Sequence, residues 1–176
     1  NKKDEFEYAG AAGGFIDILG YPLCRGRIFD SLEIDNNQYN KISEIFWSSG
    51  ACMVIKSIEF QKYGGFDSDF FAHMEEIDLC WRLKNNGKNI MYCPESTVFH
   101  VGGGTLNYDS PKKTYLNYRN NLCMIHKNFK GNTPIFIIIL LSVSNCADVK
   151  LFSQPISTVP PPTNATPIDV PLTATA

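Results

Sequence analysis

The chain has 176 residues, 44% of them hydrophobic and 12% aromatic, which is enough for one ordinary core. Its 16 Lys and Arg stand against 18 Asp and Glu, for a formal net charge of -2, so no basic stripe is present to neutralise phosphates and a nucleic-acid partner is disfavoured. All 13 glycines lie at or before Gly131, seven of the ten prolines lie after it, and residues 132–176 carry only Asp148, Lys150 and Asp169 as charged groups.

Two kinds of polypeptide therefore meet near Gly131. Residues 1–131 read as a folded domain and residues 132–176 as a Pro/Thr-rich, low-complexity tail that is expected to be disordered. The apolar run at 135–141 is shorter than the roughly 20 residues that a membrane-crossing helix needs. The opening "NKKDEFEY" has neither an initiator methionine nor a targeting segment, so a preceding part of a longer protein is expected.

In chain order, "ACMVIK" (51–56) is an unbroken apolar run and predicts a buried strand. "SIEFQKY" predicts a helix with Ser57 as N-cap, closed by the Gly64-Gly65 turn. A second helix is expected from Glu75 to Asn86, with Ile77, Cys80, Trp81 and the stem of Lys84 at helical spacing and Gly87 as its stop. "NIMYC" and "STVFH" predict strands on either side of Pro94. Ser110-Pro111 then opens a third helix whose apolar stripe is Tyr115, Tyr118, Leu122, Ile125 and Phe129, stopped by Gly131. Alternating strands and helices imply an α/β domain with a largely parallel or mixed sheet.

The stretch "FFAHMEEIDLCWRLKNNGKNIMY" places Glu75, Glu76 and Asp78 in one helical turn. Acids there are ordinarily explained by the positive end of the helix dipole. At about 100° per residue Glu75, Asp78 and Arg82 share a face, and Asp78 with Arg82 makes an i, i+4 pair. Glu76 instead has Cys80 and Leu83 as helical neighbours, and an unpaired carboxylate at a helix N-terminus suits a general base. Downstream, His100 closes "STVFH" just before Gly102, Gly103 and Gly104, a loop whose backbone amides can approach phosphate oxygens. Together these residues suggest transfer from a phosphorylated donor. Trp47 is a candidate to stack on a sugar, although core is the commoner fate of such a tryptophan. Arg25, Arg27 and Arg119 are candidate phosphate contacts, with solvated surface as the alternative for each. Six cysteines without a C-x-x-C pair fit a reducing cytoplasm.

The run from Gly50 to Thr105, followed by "KKTYLNYRNNLCMIHKN", resembles the C-terminal half of the family 2 glycosyltransferases of the GT-A fold. The likeness covers about residues 6–130, and its signals come in the order GGFD, the acidic quartet continuing as D-L-C-x-R-L, V-x-H and R-N. It implies a partial GT-A-type, Rossmann-like mixed sheet flanked by helices. It also implies inverting transfer of a sugar from a nucleotide-diphosphate donor to a glycan or lipid-linked acceptor. Glu76 falls on the second acid of the quartet, the family's base, where Asp is frequent. His100 falls on the histidine that helps hold a divalent metal, Mn²⁺ or Mg²⁺. Gly102, Gly103, Gly104 and Arg119 are the expected donor contacts, and Trp47, Glu75 and Asp78 the expected acceptor contacts. The family's D-x-D motif and nucleotide pocket precede this region, and nothing before Trp47 resembles them, so the chain is expected to hold the acceptor-and-base half. A cytoplasmic enzyme is implied, with peripheral association at the inner membrane face where the acceptor is lipid-linked. A non-catalytic sugar- or protein-binding remnant is the alternative. A metal-assisted hydrolase ranks last, because His73 and His126 are far from ligand spacing with His100.

Overall fold

The computed structural model describes residues 5–6, 10–28, 31–98 and 110–131. Its first part is an antiparallel meander of four short strands, β1 (Gly14–Ile16), β2 (Pro22–Cys24), β3 (Arg27–Ile28) and β4 (Ser31–Leu32), in the order β1-β2-β3-β4. Asp17 makes the first reversal: its carboxylate accepts the N–H groups of Leu19 and Tyr21 at 2.9 and 2.8 Å, and Gly20 takes a φ of +82° beside them. Such tight turns join antiparallel neighbours, whereas a parallel pair needs a crossover of a dozen or more residues.

β5 (Ser43–Ile45) pairs antiparallel with β6 (Ile90–Tyr92), and between them lie α1 (Ser57–Lys62) and α2 (Glu75–Asn85). Every strand pairing among the described residues is antiparallel, so the expected parallel component of the sheet is not found there. The two sheets meet at Gly14, which bonds with Phe46 and Trp47 through its backbone at 2.8 to 3.1 Å. A Cβ at Gly14 would sit 1.9 Å from the Trp47 indole, so only glycine lets that ring lie flat on β1.

The segment 51–56 is not the buried strand its apolar run predicts. Gly50–Cys52 forms a 3-10 turn capped by Ser49, residues 53–56 run extended without a strand partner, and Val54 is 98% exposed. The first helix starts as expected, but Lys56 rather than Ser57 is its cap residue.

α2 ends where its sequence says it should. The N–H of Gly87 reaches Lys84 O at 3.0 Å and that of Lys88 reaches Leu83 O at 3.1 Å, with Gly87 at φ +71°, the paired closure that a left-handed residue allows. α3 (Pro111–Asn128) has Ser110 as cap residue and proline in its first turn. Its buried face is Leu116, Asn120, Asn121, Met124, Ile125 and Asn128, whereas Tyr118 and Tyr115 of the expected stripe are exposed. The core packs Trp47, Phe70, Ile77, Cys80 and Met124 together, with Phe46, Met74 and Trp81 against them.

Of the expected strand "STVFH", residues 96–98 carry no strand. Its remainder with His100, the glycines Gly102, Gly103 and Gly104, and the tail 132–176 lie outside the described residues.

Candidate active site

The segment leading into α2 is an irregular turn rather than a capped helix start. Phe71, His73 and Met74 all have φ between +61° and +72°, a left-handed region that non-glycine residues enter at a cost of order 1–3 kcal/mol each. Met74 is the N-cap residue and provides no side-chain bond; its carbonyl accepts the Asp78 N–H at 2.8 Å, the first bond of the helix. Strain of this kind persists where surrounding contacts hold it, and it concentrates at functional sites.

On this turn the chain places three buried polar atoms without a hydrogen-bond partner among the described residues, His73 Nε2, Glu75 Oε2 and Glu76 Oε2. Burial is the main cause that raises the Glu76 carboxyl above its ordinary pKa; the neighbouring Glu75 charge adds to it, and the backbone amides of Glu76, Gly50 and Ile77 partly oppose it. Gly50 lies against this carboxylate, since a Cβ there would stand 3.9 Å from Glu76 Oε1. Burial also lowers the pKa of His73, helped by the Lys113 charge and opposed by Glu75. The nearby Cys80 thiol is pushed up to about 11 by burial, which keeps it protonated and unreactive at neutral pH.

Two expected acceptor contacts have other employment. Asp78 is fully buried: its Oδ1 accepts from Asn128 Nδ2 at 2.7 Å, and its Oδ2 takes Arg82 Nε at 2.8 Å and Lys127 Nζ at 3.0 Å. Arg82 in turn holds the glycine turn, donating to the carbonyls of Tyr63 and Gly65, and Lys127 reaches Asp67 at 2.6 Å. The D-L-C-x-R-L and GGFD signals thus meet in one polar network. Trp47 is buried, with Nε1 donating to Phe15 O at 2.9 Å, so its faces are core surface and not a sugar platform.

Arg119, expected on the donor side, points its Nη2 at Asp69 O (2.7 Å) and Phe70 O (3.3 Å) and lies over the Tyr115 ring. Arg25 lies over Phe15 and Tyr39 and donates to Ser43 Oγ at 2.9 Å. Asn120, the second residue of the R-N signal but not one of the expected site residues, binds the strained turn. Its neighbour in the R-N pair was the available signal.

A cavity of about 870 Å³ runs along β6 and the 51–56 segment and reaches Ser48 and Cys80 on the flank of α2. A smaller one of about 390 Å³ lies over Arg82 and Lys127. Glu75, Glu76 and His73 line neither. Among the described residues no group of three His, Cys, Asp or Glu side chains fits a metal ion, so the described part does not by itself form the expected metal centre. No helix among them is long and apolar enough to cross a membrane.

Comparison with characterised proteins gives relatives of one class. A stretch of 54 residues is 39% identical to N-acetylglucosaminyl-diphospho-decaprenol L-rhamnosyltransferase of Mycobacterium tuberculosis, covering 31% of this chain and 18% of that protein. Over 133 residues the chain is 26% identical to the low-salt glycan biosynthesis hexosyltransferase Agl10 of Haloferax volcanii, covering 73% of this chain and 43% of the relative. Rhamnosyltransferase WbbL of Escherichia coli is 35% identical over 54 residues, 31% of this chain and 20% of its own. All three are glycosyltransferases, and the chain spans less than half the length of each. No family model matches the chain, and no solved structure matches it with statistical significance.

Proposed function

We propose that this chain is the acceptor-and-base part of an inverting glycosyltransferase of the GT-A type, which moves a sugar from a nucleotide-diphosphate donor to a glycan or lipid-linked acceptor. The observation that carries the reading is the Glu76 carboxylate. It stands in the first turn of α2, its Oε2 is buried without a partner among the described residues, and its proton affinity is raised by burial. A base for an acceptor hydroxyl needs that combination, because a raised pKa brings proton acceptance nearer to neutral pH and an unused oxygen keeps a lone pair with which to accept the hydroxyl's hydrogen.

In this mechanism Glu76 takes the acceptor hydroxyl's proton as the oxygen attacks the anomeric carbon from the face opposite the leaving diphosphate, so configuration inverts. Glu75, with its own unpartnered oxygen, is the remaining acceptor contact of the three expected. Gly102, Gly103 and Gly104 belong to the proposal as the donor loop through the resemblance alone, as does His100 as a ligand of Mn²⁺ or Mg²⁺; such an ion, when bound, would offset the charge of the departing diphosphate. Cytoplasmic action at the inner membrane face follows from the same reading of the acceptor.

The test is a transfer assay on the full-length protein with manganese, using rhamnosyl and hexosyl nucleotide donors and a lipid-diphosphate sugar acceptor. The anomeric configuration of the product is read by NMR. Acceptor-dependent transfer with inversion is expected. Donor consumption that does not depend on the acceptor, or a product of retained configuration, would contradict the proposal.

A further inference from the structure

Several backbone carbonyls converge on one side-chain nitrogen. Nδ2 of Asn120, on the buried face of α3, lies 2.9 Å from Phe70 O, 2.8 Å from Ala72 O and 2.8 Å from His73 O. Its Oδ1 accepts from Arg119 Nε at 2.9 Å, which fixes which end of the amide faces the carbonyls, and Arg119 Nη2 takes Asp69 O and Phe70 O. Two consecutive side chains of one helix therefore hold four residues of the turn that enters another.

That turn is the strained one. Phe71, His73 and Met74 are left-handed, and the helix carrying Glu75 and Glu76 starts from Met74. A left-handed run of this kind relaxes unless its surroundings over-determine it, and the carbonyls at its core are bound by Asn120. The direction in which α2 leaves the turn, and with it the placement of the Glu76 carboxylate, depends on that amide.

We propose that Asn120, locked by Arg119, is a positioning residue for the Glu76 carboxylate: it holds residues 69–74 in the conformation from which the base is presented. The inference rests on the reading of Glu76 as base. A side chain that only stabilised the fold would lower the melting temperature without acting through one carboxylate.

The experiment uses the full-length protein with Asn120→Ala, Asn120→Asp and Asn120→Ser. The aspartate keeps the size but sets an acceptor against the carbonyls, and the serine keeps one donor, so it stays informative even if the other two fail to fold. Amide hydrogen exchange of residues 70–78 should quicken by on the order of ten-fold in Asn120→Ala, while residues 79–85 are unchanged. Its kcat should fall ~10²-fold with donor KM within about twofold, because a misplaced base costs turnover and not binding, and Asn120→Ser should recover part of it. In Glu76→Gln/Asn120→Ala, the residual kcat should equal that of Glu76→Gln alone, since a residue acting through Glu76 has nothing left to position. Unchanged exchange and kcat in the Asn120 variants, or losses that multiply in the double variant, would overturn the proposal. Failure of the base reading shows separately, as wild-type turnover by Glu76→Gln alone.

Discussion

Glu76 and Asp78 stand two residues apart on α2 and are solvated in opposite ways. Asp78 is fully buried among an arginine, a lysine and an asparagine, whereas Glu76 keeps an oxygen that no described residue satisfies. A buried carboxylate without a cationic partner favours its protonated form, and that has a consequence for stability. The folded state holds the Glu76 proton at pH values where the unfolded chain has lost it, so this group's contribution is complete below the unfolded pKa and is lost as pH rises through the raised folded one. Glu76→Gln removes the loss. Its melting temperature should exceed that of the wild type at about pH 8, with the difference gone near the ordinary glutamate pKa of about 4.3 and below. Thermal denaturation at the two pH values checks this, and equal melting at both would show that the carboxylate is better solvated than its burial indicates.

Asp78 ties three elements together: Arg82 carries its charge to the Gly64-Gly65 turn, Lys127 links it to Asp67, and Asn128 joins it to the last turn of α3. An exposed i, i+4 pair contributes under about 1 kcal/mol. Here a buried carboxylate serves three donors, so Asp78→Asn should cost about 2 to 3 kcal/mol, somewhat offset because Lys127 retains Asp67 and water. Urea unfolding measures it, and a loss below about 0.5 kcal/mol would mean that the network is dispensable. The sequence shows α2 well, because its periodic apolar positions, acidic first turn and Gly87 stop all agree. It shows the extent of α3 through Ser110-Pro111 but not its buried face, where Asn120, Asn121 and Asn128 occupy positions that a hydropathy pattern reserves for apolar residues. Asn120 and Asn128 are buried because each bonds a group some 50 residues away, Phe70 O and Asp78, and no local pattern records such a partner; Asn121 Oδ1 is buried without a hydrogen-bond partner among the described residues. The burial of Trp47 and Asp78, both expected at the acceptor, is hidden in the same way, since Phe15 O lies 32 residues from the indole and Asn128 lies 50 from Asp78. The run 51–56 failed differently: a short apolar stretch is compatible with a strand, but strand pairing needs a neighbour, and none of the described strands supplies one.

Across the whole molecule, the described residues place the buried Glu76 carboxylate in the first turn of α2, after an irregular turn held by α3 and beside a meander and a two-stranded sheet that meet at Gly14 and Trp47. Sequence signals that look like separate motifs converge there. GGFD and D-L-C-x-R-L meet in the Asp67, Lys127, Asp78 and Arg82 network, and R-N clasps the turn before Glu75. The relatives, all glycosyltransferases, are longer than the matched stretches, so the sugar-transfer reading concerns the protein to which these residues contribute. The most direct measurement is the turnover of Glu76→Gln in the full-length protein, assayed beside the wild type with the same nucleotide sugar and acceptor. The substitution keeps the shape and removes proton acceptance. It should lower kcat by ~10² to 10⁴-fold while leaving KM and the circular dichroism spectrum unchanged. Turnover equal to that of the wild type would contradict the assignment of Glu76 as the base.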